Sequence, residues 1–427
     1  MFGQTQFRSK ALGAILLSAL LSGACMGSLP QPTPDISNAV VFTGARVIVG
    51  DGSVIENGAF VVEEDRLVAV GDANSLEPPT GSAQIDLSGR TVMPAIIDTH
   101  VHLRTTSRDE LVEDLQRKAY YGVAAVMSLG RGTGDLPFQI RDEVIPNAAL
   151  YRTVGRGITA PEPGRTEVPY WISTPEEARA AVQELAPQSL DVIKIWVDDR
   201  NGQFDKLTPE LYSAVIDEAH QRDLRVTAHV YTLEDAKGLL RSGLDAFAHG
   251  IRDMDIDDEV VELFQERPHI VLAPNLPNPG RPTDLSWLAG TIQPDQLEEM
   301  QARSVDNIGA QQRFGIQARN LARLHAAGTT IILGTDGGAG WSPHAEMEDM
   351  VRAGMPPADV IVAATGNSAA FMELDNLGTL EAGKSADFII LEANPIEDIT
   401  NTRQIVDVYL RGVAVEREAL SEAWLGS

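Results

Sequence analysis

The sequence predicts an α/β protein: a (β/α)8 barrel of the TIM type, joined to a small β-sandwich built from both chain ends. Three observations carry this expectation. Between residues 93 and 375, short apolar runs alternate with amphipathic stretches of helical period, the pattern of buried parallel strands covered by helices. Residues 39–92 read instead as closely spaced strands broken by Asp51-Gly52, Asn57-Gly58 and Glu64-Asp65, which suits antiparallel pairing. The same grammar returns over residues 376–420.

Residues 1–25 read as an export signal. Arg8 and Lys10 precede an apolar stretch from Ala11 to Leu21 that is too short to span a bilayer comfortably, and Ser22-Gly23-Ala24 suits cleavage. Cys25, the only cysteine, follows at once, so the chain also fits a bacterial lipoprotein precursor, although Ser22 stands where such signals usually carry leucine. The expected location is the periplasm or, with Cys25 lipidated, the outer face of a membrane. A single cysteine excludes a disulfide within the chain, which leaves stability to packing and metal. Pro30, Pro32 and Pro34 make residues 26–38 an extended tether.

Sandwich strands are expected at residues 40–42, 46–49, 59–62 and 66–70, and again at 388–391 and 406–410. Barrel strands are expected near 94–98, 123–128, 149–154, 191–197, 224–229, 245–249, 269–273 and 330–335. Thr174-Pro175-Glu176-Glu177 and Thr208-Pro209-Glu210 each read as an N-cap with proline in the first helical turn.

Acidic residues outnumber basic ones by 61 to 34, a net charge of -27 that argues against nucleic acid or an anionic membrane surface as partner. The expected partner is a small-molecule amide, with membrane contact only through a lipidated Cys25 and with self-association into a homo-oligomer.

Functional groups of such a barrel gather at the C-terminal ends of its strands. The predicted strand ends carry His100 and His102 (first), Lys194 (fourth), His229 (fifth), His249 (sixth) and Asp336 (eighth), a nitrogen and oxygen donor set that suits a divalent transition metal. His100 and His102, two apart on a strand, point to one face. Lys194 lies between Val192-Ile193 and Ile195-Trp196, where a buried ammonium is costly. Two readings stay open for it: a neutral amine that takes up carbon dioxide and becomes a carbamate bridging two ions, or a side chain reaching Asp198. Arg131, Arg156 and Arg252 each follow a strand end and could clamp a substrate carboxylate; which one does so is not readable. His220, His269 and His325 fall on helices or a strand start and read as structural.

The order His-x-His, Lys, His, His, Asp resembles the amidohydrolase superfamily in its binuclear form. The stretches 93–103, 226–231, 248–250, 333–336 and 378–387, followed by Asn394-Pro395, are similar to its imidazolonepropionase-like and prolidase-type dipeptidase branch. The resemblance implies that His100, His102 and Asp336 hold one ion, His229 and His249 the other, and carbamylated Lys194 bridges the two, zinc being the expected metal. It also implies a hydroxide between the ions that attacks the scissile carbonyl, with Asp336 passing the proton to the leaving amine. Tyr231 matches a tyrosine, and His344 (with Trp341 and Glu346 nearby) a histidine, that contact substrate in the dipeptidase branch. Their alternatives are an ordinary pocket aromatic and a surface residue at a helix start. Two departures stand out: residues 157–164 lack the histidine of a Gly-Gly-His loop, and Ala248 precedes His249 where a glutamate is common.

The expected activity is hydrolysis of an amide-type C-N bond in a dipeptide or N-acyl amino acid. The alternative is a lactone, phosphotriester or cyclic-amide hydrolase on the same centre. A mononuclear deaminase is disfavoured, because Thr232 stands where its glutamate belongs. A non-catalytic binding protein on the same barrel is a third reading.

Overall fold

The computed structural model describes residues 38–188 and 190–426. The expected export signal, Cys25 and nearly all of the tether lie outside the described residues. Strands in chain order are β1 (Val40–Ile48), β2 (Val54–Glu63), β3 (Arg66–Asp72), β4 (Ala83–Asp86), β5 (Thr91–Pro94), β6 (Ile96–Val101), β7 (Val123–Ser128), β8 (Leu150–Thr153) and β9 (Ile158–Thr159). They continue with β10 (Tyr170–Trp171), β11 (Ile193–Val197), β12 (Val226–Val230), β13 (Ala246–Phe247), β14 (Val271–Leu272), β15 (Thr330–Ile331), β16 (Phe388–Leu391), β17 (Ile405–Leu410) and β18 (Val413–Ala414).

Both chain ends share one sheet, ordered β18-β17-β16-β5-β1-β2-β3 with β4 alongside β1. The runs expected at 40–42 and 46–49 are a single strand whose register shifts on either side of Ala45, which lets β4 pair with its first half and β5 with its second. Aromatic rings hold the two ends together. Phe42 stacks on Phe60 at 4.8 Å, Phe388 stacks on Tyr409 at 4.7 Å, and Phe42 meets Phe388 edge to face at 5.3 Å.

Two parallel sheets make up the rest, β6-β7-β8 and β10-β9-β11-β12-β13-β14-β15. Most residues of their strands are buried, as parallel strands covered on both faces require. The apolar run at 92–99 is divided between sheets: Thr91–Pro94 pairs antiparallel with β16, and at Ile96 the chain turns to β7. Ala95 N–H still donates to Asp387 O, whereas Ile96 N–H donates to Gly122 O. The expected strand at 94–98 is therefore displaced to 96–101, because residues 91–94 complete the sheet of the chain ends.

β9 was not foreseen in the sequence; it lies beside β11 through Ile158 and Ile195. β13, β14 and β15 are each two residues long, so the chain leaves the sheet early and the residues beyond are free to form a site. Thr99 N–H donates to Leu333 O at 2.9 Å, joining β6 to the segment after β15.

Helix Pro175–Leu185 starts with the expected cap: the Thr174 hydroxyl accepts from Glu177 N–H, and the Glu177 carboxylate accepts from Thr174 N–H. Helix Pro209–His220 starts at Pro209 without a side-chain bond from Thr208, a departure from the expected cap. Among the described residues no helix is long and apolar enough to cross a membrane.

Candidate metal centre

β6 delivers His100 and His102 to one end of the parallel sheets, with ring centroids 5.2 Å apart. Asp336 meets them from the segment after β15. Its Oδ1 lies 3.2 Å from His100 Nε2 and 2.9 Å from His102 Nε2, and its Oδ2 lies 3.7 Å from His249 Nε2. His100, His249 and Asp336 offer donor atoms all within 4.8 Å of one another. His229, at the end of β12, packs its ring 4.4 Å from that of His249.

Lys194 sits in β11, in register with Thr227 of β12. Its side chain is fully buried, and Nζ has no hydrogen-bond partner among the described residues. Asp198, the alternative partner weighed for it, is committed elsewhere: Oδ2 lies 2.9 Å from His229 Nε2 and accepts from Arg200 Nη1 at 2.6 Å. Buried nitrogen bases without a matching anion are better off neutral. Burial lowers the Lys194 ammonium to about 7, with Asp336 opposing and Arg252 assisting. Burial likewise lowers His100 and His229 to about 3 and holds His249 well below its ordinary value. Partial desolvation raises the Asp336 carboxyl, but the imidazoles of His100, His102 and His249 beside it outweigh that and hold it far below the usual carboxylate range.

Neutral imidazoles, an ionised carboxylate and an unpartnered buried amine form a donor set that fits divalent metal. His100, His249 and Asp336 could hold an ion, with His102 and His229 packed against them.

Groups that sequence reasoning missed hold these donors in place. Asp98, fully buried, accepts from Lys118 Nζ at 2.8 Å, Thr335 Oγ1 at 2.8 Å and Thr335 N–H at 3.1 Å. It thereby ties β6 to the turn that carries Asp336. Asp336 itself has φ 52, a left-handed conformation steadied by donation of its N–H to His100 O at 2.8 Å. Asn275 Nδ2 lies 2.9 Å from His100 Nδ1 and 3.5 Å from His249 Nδ1, and also contacts Ala248 O. A signal for Asn275 existed, since it follows the seventh expected strand, whose end was left without a site residue. Arg200 and Glu162 gave no such signal, since they stand on loops and carry no spacing rule, and Asp198 reads in the sequence only as a possible partner of Lys194.

The expected substrate residues separate. Arg252 Nε and Nη2 are buried without hydrogen-bond partners among the described residues, and burial lowers its pKa against the pull of Asp336 and Asp198. Tyr231 is half-buried beside it, its carbonyl accepting from Arg252 N–H at 3.0 Å. Arg156 is engaged by Val168 O at 2.5 Å and Pro169 O at 3.4 Å and lies over the Tyr170 ring, whereas Arg131 is exposed. His344 departs from expectation. It is buried, with Nδ1 3.0 Å from Thr402 Oγ1 and Nε2 2.9 Å from Tyr121 O, so both ring nitrogens are taken by protein and neither is left for a substrate. Glu346 is similarly occupied, accepting from Leu276 N–H. His220 and His325 pair with Asp245 and Asp359, away from the donor cluster.

Comparison with known proteins adds an independent line. The profile described as amidohydrolase family matches residues 91–415. The chain is 25% identical over 456 residues to an ochratoxinase of Aspergillus niger, covering 92% of this chain and 87% of the relative. It is 24% identical over 426 residues to an imidazolonepropionase of Deinococcus radiodurans, covering 92% and 98%. Among solved structures, a Xaa-Pro dipeptidase with bound methionine in its active site superposes with a TM-score of 0.69 at 22% identity, covering 88% of this chain and 99% of that one.

Proposed function

The chain belongs to the amidohydrolase family, and from that premise we propose an exported, binuclear metal-dependent hydrolase that cleaves an amide-type C-N bond in a dipeptide or N-acyl amino acid. The reading takes the parallel sheets as one closed (β/α)8 barrel over residues 93–375 and the sheet of the chain ends, residues 39–92 and 376–420, as a flanking β-sandwich. Zinc is the ion assigned, and Lys194 is assigned a carbamate formed from carbon dioxide. Residues 1–25 are assigned to export into the periplasm or, with Cys25 lipidated, to anchoring at a membrane, and the protein is assigned a homo-oligomeric state.

One observation carries the catalytic reading: Lys194 Nζ is buried with no hydrogen-bond partner among the described residues, near a cluster of imidazoles around Asp336. A lysine with no carboxylate in hydrogen-bond contact is tolerated there as a neutral amine, the form that reacts with carbon dioxide. Divalent ions held by these donors would supply Lewis-acid chemistry, activating water and polarising a carbonyl. Asp336 accepts the proton released when water adds to the carbonyl and returns it to the leaving nitrogen. Arg252, with free N–H groups and Tyr231 beside it, binds the substrate carboxylate. The ochratoxinase and dipeptidase relatives support an amide as substrate class.

The test is reconstitution. Protein stripped by chelator and reloaded with zinc and bicarbonate should recover activity on a panel of dipeptides and N-acyl amino acids, and Lys194→Ala should not. Full activity at one ion per chain would overturn the two-metal reading. A larger kcat/KM for lactones or phosphotriesters than for any amide would overturn the substrate class.

A further inference from the structure

We propose that Trp196 is a positioning residue for Lys194: its indole, seated in a slot between Gly130 and Gly157, covers the amine and fixes where it points. This rests on the reading that gives Lys194 a chemical role and adds to it the group that keeps the amine in place.

Strand geometry brings the two side chains together. Residues two apart on β11 share a face, and Trp196 stands one step nearer the C-terminal end than Lys194. The register sets Lys194 beside Thr227 and Trp196 beside His229 of β12, so the indole shares a layer with a histidine of the cluster. Lys194 Nζ lies over the indole, 5.4 Å from the ring centroid. Both side chains are buried.

The slot is made by two loops that meet at glycines. Gly157 N–H donates to Gly130 O at 3.0 Å, which joins the segment between β8 and β9 to the loop after β7. A Cβ at Gly157 would overlap Trp196 Cζ3, and one at Gly130 would overlap Cη2 and fall 2.9 Å from Lys194 Cγ. Glycine at both positions leaves room for the outer edge of the indole, and Gly130 also lies against the stem of the lysine.

A lysine stem is flexible, and Nζ here has no hydrogen bond among the described residues to fix its direction. Packing has to do that, and the rigid indole supplies it. The same cover bears on carbamate chemistry. Carbamate formation joins the amine nitrogen to the carbon of carbon dioxide and releases a proton; its reversal needs a proton returned to that nitrogen, which water brings. A covered nitrogen gets it back slowly.

The experiment uses the full chain, stripped by chelator in bicarbonate-free buffer and treated with acetic anhydride, with acetylation of each lysine read by peptide mass spectrometry. Trp196→Phe removes Cη2 and Cζ3, the atoms that enter the slot, and Trp196→Leu removes the ring. Lys118, equally buried and held by Asp98, reports general loosening of the core. Lys194 should react at least about tenfold faster in both variants while Lys118 stays as in the wild type, because a buried amine reacts only through local opening. Equal acceleration at Lys118 and Lys194 would make Trp196 an ordinary core residue, and no acceleration at Lys194 would place its cover elsewhere; either result overturns the proposal. A second arm loads wild type and variants with zinc and carbon-13 bicarbonate. The carbamate carbon resonance should fade faster in the variants after transfer to unlabelled bicarbonate. A wild type without that resonance overturns the carbamate reading of Lys194, and acetylation still decides the role of Trp196.

Discussion

Arg252 buries Nε and Nη2 without hydrogen-bond partners among the described residues, and such donors are costly unless a ligand completes them. Arg252→Met should therefore raise KM for carboxylate-bearing amides by roughly 10- to 100-fold, the worth of one charge-assisted hydrogen bond. For analogues that lack the carboxylate KM should stay nearly constant. Steady-state kinetics on such a pair checks this, and an equal loss on both would remove Arg252 from carboxylate binding. At this scale the sequence was most readable where a spacing rule applied. His100 and His102 could be read as neighbours because strand side chains alternate, and His249 and Asp336 because they close apolar runs. The choice among Arg131, Arg156 and Arg252 was not readable, since it depends on which guanidinium other segments occupy: Arg156 is held by Val168 O and Pro169 O, residues that no periodicity links to it.

Between elements, the buried Lys118–Asp98 pair joins helix Arg108–Tyr120 to β6, and through Thr335 to the Asp336 turn. Removing one partner strands the other charge in the interior. Lys118→Met should cost about 3–5 kcal/mol in denaturant unfolding, and adding Asp98→Asn should recover part of that loss by removing the stranded charge. If the double variant were as unstable as the single one, the cost would lie in packing instead. At the sheet of the chain ends, Gly412 has φ 74, and a Cβ there would fall 2.0 Å from Glu64 O. Gly412→Ala should lower stability by at least about 1–2 kcal/mol from backbone strain alone, measured in the same way. Element boundaries were legible where one force acts. Residues 123–127 are apolar throughout, and with Ser128 they form β7 over the expected span. Residues 92–99 were misjudged because two sheets compete for one apolar run, and hydropathy is blind to β16, which claims its first part almost 300 residues later in the chain.

At the scale of the molecule, the sequence conveyed that both chain ends build a common β-domain, read as a sandwich, yet not that β5 would link them within one sheet, a matter of long-range pairing. His344 exposes another joint between distant segments to pH. It bridges helix Ser342–Arg352 to Thr402, beside β17, and to Tyr121, just before β7. Burial lowers it to about 4 from an ordinary value of 6.5. The unfolded chain takes up this proton below 6.5, whereas the folded chain resists it until about 4, so the stability from neutral His344 is complete above 6.5 and lost as pH falls toward 4. Asp349 works in the opposite sense. Burial raises it to about 7, so its stabilising protonated state is lost as pH rises through that value. The wild-type curve alone mixes the two contributions, and a pair of proteins separates them. Against His344→Gln, at saturating zinc, the wild type should have its largest stability advantage at pH 7.5. That advantage should shrink by on the order of 1 kcal/mol by pH 5.5, because Asp349 and the other histidines are common to both proteins and cancel in the difference. Denaturant unfolding at a series of pH values measures it, and a difference that stays flat across that range would mean His344 holds the joint without carrying its proton response.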